Sequence, residues 1–149
     1  MEAALGTLSP AGYRRLAEFR HQIRQFLQFS EEAARSHGIE PQQHQLLLAI
    51  KGLPENIRPT ISALSARLCL RHHSTVELVN RLGEHGAVVR RHSEEDRREV
   101  LIELTPQGEK ILQQLSLLHW QELRTTGPAL LEALEQIVKP GKASNAKSA

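Results

Sequence analysis

The sequence predicts a mainly α-helical fold with one small β-hairpin. Two patterns that follow one another between residues 60 and 105 support this prediction. Two short helical segments come first, TISALSARL and STVELVNRLGEHG, and a turn around CLR separates them. A polar stretch, HSEEDR, then lies between two segments with strand-like alternation. This order is typical of a winged helix-turn-helix, in which the hairpin forms a wing beside the second helix.

Long helical patterns precede and follow this region. From Tyr13 to Ser36, apolar residues recur at gaps of three and four, which describes one face of a helix. A second helix is expected to begin at Pro41 and to end before Pro54. After the wing, Thr105 followed by Pro106 is a typical helix start. The last helical pattern runs to Val138, and we expect Gly127–Pro128 to interrupt it.

The expected organisation has four parts. An N-terminal arm covers 1–12, a winged helix-turn-helix DNA-binding region covers 40–104, and a disordered tail covers 139–149. Residues 13–36 and 106–138 form a helical dimerisation region. These terminal helices are more apolar than one small core requires, which favours a homodimer in which they pack against their copies. A bundle packed within one chain is the alternative.

The second short helix has a predicted inner and outer face. Its inner face is expected to hold Thr75, Leu78, Val79 and Leu82. The residues expected outside or at the helix entrance, where a helix-turn-helix contacts DNA, are Arg71, His72, His73, Ser74, Val76, Glu77, Asn80 and Arg81.

The outer residues have side chains suited to DNA. Arg71 and Ser74 suit phosphate, His73 suits a guanine edge and Val76 suits a thymine methyl group. Glu77 suits cytosine N4, or it holds an arginine in place.

The hairpin tip combines acidic residues with arginines. We expect one of Arg97 and Arg98 to pair with Asp96 across the turn and stiffen the hairpin. The other arginine is then available to the minor groove, while Arg90 and Arg91 reach phosphate. The alternative is a solvated hairpin with weak ion pairs, which is the usual meaning of a charge run.

Arginine replaces lysine throughout the central region. No lysine occurs between Gly52 and Glu109, although the formal net charge of the chain is only +2. The planar guanidinium suits bidentate contacts to guanine and phosphate, but a GC-rich genome also favours arginine codons. Aromatic residues make up 3% of the chain, which argues against a base-stacking surface for single strands.

Other functional classes lack their patterns. Cys69 is the single cysteine, which excludes a disulfide within the chain and fits a cytoplasmic protein. We expect it to be buried rather than redox-active. The N-terminus does not resemble a signal peptide, and no apolar run is long enough to span a membrane. We find no nucleophile–base pair, phosphate-binding glycine loop or metal motif, so neither enzymatic activity nor a cofactor is expected.

Four short segments resemble the MarR family of transcriptional regulators. Leu78–Leu82, Gly86–Val88, Asp96–Arg98 and Leu104–Gly108 are similar to the family patterns LVDRL, GLV, DxR and LTxxG. Three residues depart from these patterns. Asn80 replaces a common aspartate, so a salt bridge from helix to wing is expected to be absent. Ala87 replaces a larger apolar residue, and Cys69 occupies a turn position often held by glycine.

The resemblance implies a homodimer that binds a pseudo-palindromic operator in double-stranded DNA, usually as a repressor. It also implies Asp96 and Arg98 as the wing pair, with Arg97 as a second tip contact. A small aromatic or acidic effector would bind between the dimerisation and DNA-binding regions. Its candidate contacts are Phe19, Ile23, His44, Leu47 and Trp120, although core packing explains the apolar ones equally well. The alternative function is a winged-helix adaptor that binds a protein partner rather than DNA.

Overall fold

The computed structural model describes residues 6–139. The predicted fold class is confirmed, because helices dominate and one antiparallel hairpin is present. The elements in chain order are α1 (Pro10–Ser36), α2 (Pro41–Lys51), α3 (Ile61–Leu68), α4 (His72–Glu84), β1 (Val88–His92), β2 (Val100–Leu104) and α5 (Pro106–Val138). Residues 1–5 of the expected arm and 140–149 of the expected tail lie outside the described residues.

Helix α1 begins earlier than predicted, at Pro10 rather than Tyr13. The hydroxyl of Ser9 accepts a hydrogen bond from the backbone N–H of Gly12 at 3.1 Å, as an N-cap residue does. Pro10 then occupies the first helical position, where its missing N–H costs nothing. The signal was present in the sequence as Ser-Pro.

Helix α5 is continuous through Pro128, so the predicted interruption at Gly127–Pro128 is wrong. A proline inside a helix removes one backbone donor and crowds the preceding turn. Here the helix extends well beyond the proline in both directions, and its other backbone hydrogen bonds keep it continuous. Thr125 and Thr126 donate their hydroxyls to the carbonyls of Gln121 and Glu122, which gives those carbonyls a further donor.

The chain forms two compact units, and the first comprises Ser30–Leu118. Its core draws on every helix of the unit and on the hairpin. The largest side chains that are fully buried there are Leu46, Leu47, Leu64, Leu82, Ile102 and Leu115. Each buried side chain of this size contributes about 1.5–3 kcal/mol relative to exposure. This core fixes the positions of α3, α4 and the hairpin, and we call the unit the winged unit.

The second unit combines the parts of the chain up to Phe29 and from His119 onward. We call it the terminal unit. Within it, the rings of Phe26 and Phe29 meet His119 edge to face, with centroids 5.9 and 5.5 Å apart. Many large apolar side chains of this unit are exposed, including Tyr13, Leu16, Trp120, Leu123, Leu131 and Leu134.

None of the helices within residues 6–139 combines the length and apolar character needed to cross a membrane.

Candidate nucleic-acid interface

Helices α3 and α4 form the predicted helix-turn-helix. As expected, the Thr60 hydroxyl caps α3 by accepting the backbone N–H of Ala63 at 3.1 Å. The helix ends at Leu68, and the next residue, Cys69, caps it with a φ of 54°, in the left-handed region. Buried hydroxyls of Ser65 on α3 and Thr75 on α4 are hydrogen-bonded at 2.9 Å. This contact fixes α4 relative to α3 inside the core.

Cys69 is exposed, so its predicted burial is wrong. The apolar neighbours Leu68 and Leu70 suggested a buried turn, and both do pack partly against the core. The left-handed backbone at Cys69 turns its own side chain away from that core.

The two faces of α4 are those that the sequence predicted. Its buried residues are Thr75, Leu78, Val79 and Leu82. Of the predicted DNA contacts, Ser74 and Val76 are half-buried, whereas the exposed ones are Arg71, His72, His73, Glu77, Asn80 and Arg81. The helix therefore presents a polar face with one small apolar patch, Val76.

The hairpin is slightly shorter than predicted. Strand β1 pairs with β2 from Val88 opposite Leu104 to His92 opposite Val100. The expected connection, HSEEDR, covers residues 92–97, whereas in the structure His92 ends β1 and β2 begins only at Val100. The connection between the strands contains the two arginines and the acidic residues of the tip, and we call residues 93–99 the wing tip.

Asp96 stabilises the wing tip through the backbone rather than through an arginine side chain. Its carboxylate accepts the backbone N–H of Arg98 at 3.0 Å, and its carbonyl accepts the N–H of Glu99 at 3.0 Å. The expected ion pair with Arg97 or Arg98 is absent among the described residues. Aspartate in a tight turn reaches the main chain two residues later more easily than it reaches a long side chain.

The arginine that does pair with the wing tip is Arg58, which no pattern in the sequence indicated. It lies in the loop before α3, and its Nη1 donates to Glu99 Oε1 at 2.8 Å and to Ser93 Oγ at 3.2 Å. Its Nη2 donates to Glu95. The hydrogen bond to Glu99, followed by that to Glu95, raises the pKa of Arg58 above its usual value.

Two other wing arginines are held within the unit. Arg90 donates from Nη2 to Asn80 Oδ1 at 2.7 Å. The side-chain amide of Asn80 therefore joins α4 to the wing by a hydrogen bond, in place of the salt bridge that an aspartate would make there. Arg91 pairs with Glu103 across the hairpin, with Nε 3.1 Å from Oε2. Each guanidinium retains donors beyond those used in these contacts.

Four arginine side chains remain available near the same surface. Across residues 6–139, no ion pair or side-chain hydrogen bond engages the guanidinium groups of Arg71, Arg81, Arg97 or Arg98. All four residues are exposed. The helix entrance, the outer face of α4 and the wing tip thus carry positive groups without an internal counter-ion.

The junction after β2 explains the LTPQG segment. The Thr105 hydroxyl donates to the carbonyl of Gly86 at 2.5 Å and accepts the backbone N–H of Gly108 at 3.1 Å. A Cβ on Gly108 would lie 2.0 Å from the carbonyl oxygen of Ala87. Only glycine permits this approach, so the start of α5 is held against the end of the α4–β1 turn.

The predicted effector contacts fall in different units. Phe19 and Ile23, both half-buried, and the exposed Trp120 belong to the terminal unit. His44 and Leu47 are buried in the winged unit, where Leu47 is a core residue with no exposed surface. A groove of about 410 Å³ lies in the terminal unit, and its lining includes Gln22, Phe26, Glu122, Leu123 and Leu130 but none of these five candidates.

The helix-turn-helix and its hairpin define the chain as a winged helix-turn-helix protein. Residues 37–99 match the model of the MarR family. A curated relative from Thauera aromatica, described as a presumed transcriptional regulatory protein for the hcr operon, is 33% identical over 93 residues. That alignment covers 62% of this chain, and the chain spans about half, 54%, of the relative. Residues 37–99 are thus similar to the MarR family, and the resemblance predicted from the sequence is confirmed.

Solved structures show the same fold. AbsC, a MarR family regulator from Streptomyces coelicolor, is 19% identical with a TM-score of 0.71, over 90% of this chain and 93% of AbsC. A MepR mutant from Staphylococcus aureus, bound to an oligodeoxyribonucleotide, is 20% identical with a TM-score of 0.62, over 84% and 89%. CouR from Rhodococcus jostii, bound to p-coumaroyl-CoA, is 21% identical with a TM-score of 0.62, over 82% and 90%.

Proposed function

We propose that this chain is a sequence-specific regulator of transcription that binds double-stranded DNA as a homodimer. One observation carries the proposal: the outer face of α4 and the wing tip expose arginines that no acidic side chain within residues 6–139 neutralises. Phosphate is the counter-charge that such a surface suits. The MepR variant with the same fold is bound to an oligodeoxyribonucleotide, which supports this choice.

In this proposal α4 enters the major groove and the wing tip reaches the adjacent minor groove. His73 and Val76 read base edges, whereas Arg71, Ser74 and Arg81 bind phosphate. Arg97 and Arg98 supply the minor-groove and tip contacts. Glu77 selects cytosine, since no ion pair within residues 6–139 joins its carboxylate to an arginine.

The remaining predicted contacts have a supporting role. Asn80 and Arg90 fix the wing against α4, and Arg91 is fixed along the hairpin by Glu103. Their unused donors remain available to phosphate. His72 is exposed at the entrance of α4, and in this proposal it contacts the DNA backbone.

The homodimer in this proposal is formed by the terminal unit. Exposed leucines on α5, such as Leu131 at 58% and Leu134 at 40%, leave an apolar surface that a second copy would cover. Two copies related by a two-fold axis would place two α4 helices on half-sites about 34–36 Å apart, one helical turn of DNA.

We further propose that the regulator is a repressor whose DNA affinity responds to a small aromatic or acidic effector. The structure of CouR with p-coumaroyl-CoA supports a ligand-responsive function for this fold. Phe19, Ile23, His44 and Trp120 remain the candidate contacts, and Leu47 would require the core to open first. Such an effector must bind the DNA-incompetent form more tightly than the competent one.

Variant binding tests the division of roles. We expect Arg97→Ala with Arg98→Ala to weaken binding of all duplexes, because two cations that meet the DNA backbone or minor groove are removed. The salt slope should fall by about one for each phosphate that is no longer neutralised. His73→Ala or Val76→Ala should instead change the preferred base at one position of each half-site. Lys110→Ala, a change on α5 outside the predicted DNA-binding face, is the control.

Fluorescence anisotropy with a duplex selected by the protein gives both readouts. An adaptor that binds a protein partner would show weak binding to DNA with little dependence on salt. Wild-type affinity in the Arg97→Ala, Arg98→Ala protein would contradict the role of the wing.

A further inference from the structure

We infer that Arg58 is a positioning residue for DNA recognition, which holds the wing tip against the loop that opens the helix-turn-helix. This inference rests on the proposed function. Arg58 acts through Ser93, Glu95 and Glu99 of the wing tip, all of which accept hydrogen bonds from its guanidinium. These contacts set the place from which Arg97 and Arg98 meet DNA.

The backbone around Arg58 is itself fixed. The carbonyl of Arg58 accepts the N–H of Thr60 at 2.8 Å, and Thr60 is the N-cap of α3. The carbonyl of Pro59 accepts the N–H of Ile102, a fully buried residue of β2, at 2.9 Å. The segment 58–60 therefore starts α3, binds the main chain of the wing and holds the wing tip. A displacement of the wing relative to α3 must break several of these bonds together.

Ser93 embeds the contact in the protein. It is only 5% exposed, and its hydroxyl lies within hydrogen-bond distance of Arg58 Nη1 and of the backbone nitrogens of Glu95 and Asp96. A lone surface ion pair contributes little. Here one guanidinium binds two carboxylates and a buried hydroxyl that also holds the tip's main chain, so the arrangement is a network rather than a pair.

The charge of the wing tip also requires a partner. Glu94, Glu95, Asp96 and Glu99 outnumber Arg97 and Arg98 in this segment. A tip with excess carboxylate would be repelled by phosphate over roughly a Debye length, about 8 Å at physiological salt. Arg58 places a positive charge directly against Glu95 and Glu99. With Arg58 counted, three arginines face these four carboxylates, so the excess negative charge falls from two to one and the repulsion from phosphate weakens.

The test compares Arg58→Ala and Arg58→Lys with Lys51→Ala. Lys51 makes an ion pair of the same kind with Glu109, at 2.8 Å, away from the wing. Amide hydrogen exchange without DNA should show faster exchange at Ser93, Glu99 and Ile102 in Arg58→Ala but not in Lys51→Ala. Specific DNA affinity should fall about tenfold in Arg58→Ala, a change of about 1.4 kcal/mol. Arg58→Lys should recover part of it, because lysine restores the charge without the planar fork.

A second background separates positioning from direct DNA contact. In the Ser93→Ala, Glu95→Ala, Glu99→Ala protein, adding Arg58→Ala should change DNA affinity less than about twofold, because the three side chains that accept its hydrogen bonds are already removed. A persistent tenfold loss, with a salt slope lower by about one, would mean that Arg58 itself binds phosphate and would overturn the inference.

The two readouts also separate this inference from the proposed function. If amide exchange at Ser93, Glu99 and Ile102 is the same in Arg58→Ala as in the wild type, the positioning role is overturned. That conclusion holds even if the wild-type chain binds DNA specifically. Faster exchange with unchanged DNA affinity would overturn the positioning role as well. If the wild-type chain selects no duplex, the proposed function fails and the role of Arg58 in DNA recognition fails with it, while the exchange data still report whether Arg58 holds the wing.

Discussion

Gly108 shows how the absence of one Cβ determines the junction between the wing and α5. The backbone of Ala87 occupies the space that a side chain would need, and Ala87 itself is fully buried. Ala87 cannot move away without displacing the start of β1, which follows it directly. The position therefore tolerates only glycine, although a glycine inside a helix normally lowers stability.

Gly108→Ala should destabilise the protein by about 1–3 kcal/mol, the usual cost of overpacking a fixed site. Urea unfolding followed by circular dichroism measures this change. Gly83→Ala is the matched control, because a Cβ there would make only an ordinary contact, 3.9 Å from the carbonyl oxygen of Val88. The control should be neutral or stabilised by up to about 1 kcal/mol. Equal unfolding midpoints for the two variants would contradict the steric requirement at Gly108.

Cys69 carries the only positive φ of a non-glycine residue within 6–139. Its thiol is exposed and makes only a long contact, 3.9 Å, with the carbonyl of Ala66. The backbone geometry, rather than the thiol, is the structural requirement at this position.

Cys69→Gly should therefore stabilise the protein by about 0.5–1 kcal/mol, because glycine adopts the left-handed conformation without the Cβ penalty. Cys69→Ala keeps that penalty and should change stability by less than about 0.5 kcal/mol. Thermal unfolding of the three proteins checks both statements. Destabilisation by glycine would show that the thiol contributes to folding.

At the scale of elements, Thr105 joins two parts of the winged unit. Its hydroxyl accepts the backbone N–H of Gly108 in the first turn of α5 and donates to the carbonyl of Gly86 in the turn after α4. The same side chain thus caps one helix and closes the turn after another.

Thr105→Val should lower the free energy of unfolding by about 1–2 kcal/mol, since both hydrogen bonds are lost from a nearly isosteric side chain. Thr105→Ser keeps the hydroxyl and should lose much less. Chemical denaturation distinguishes the two variants. A Thr105→Val protein as stable as the serine variant would exclude the cap as a significant contribution.

The sequence predicted elements well where the evidence was local. The apolar spacing in α4 identified its four buried residues, and the polar run between two alternating segments identified the hairpin. The prediction of an interruption at Gly127–Pro128 was wrong because the helical hydrogen bonds on both sides outweighed the local effect of the proline. Pro128 lies inside a long helix whose remaining hydrogen bonds keep it continuous.

The arrangement of the wing tip was predicted only in part. Asp96 was correctly chosen as a residue of the turn, but its partner is the main chain of Arg98. Arg58 lies 41 positions before Glu99, and no periodicity or spacing connects them. Contacts of this kind depend on how the loop before α3 packs beside β2, which only the folded chain reveals.

At the scale of the whole molecule, the two units differ in how much apolar surface they leave exposed. The winged unit buries most of its large apolar side chains in one core. The terminal unit exposes Leu16, Trp120, Leu131 and Leu134, among others. Exposed apolar surface of this extent usually marks an interface.

Leu131→Glu with Leu134→Glu should convert the proposed homodimer into a monomer, because two buried carboxylates without partners are strongly unfavourable at an interface. Sedimentation velocity measures the change in mass. Leu48→Glu, at an exposed leucine of the winged unit, is the control and should remain dimeric. A dimer that survives the double change would place the interface elsewhere.

The central claim is that α4 and the wing form a specific DNA-binding surface. The most direct measurement is selection of duplexes from a randomised pool by the purified wild-type chain, followed by the affinity of the selected duplex at several salt concentrations. We expect a palindromic sequence with half-sites about one helical turn apart and a steep loss of affinity with salt. A pool that yields no enriched sequence, with weak binding that salt does not change, would contradict the claim.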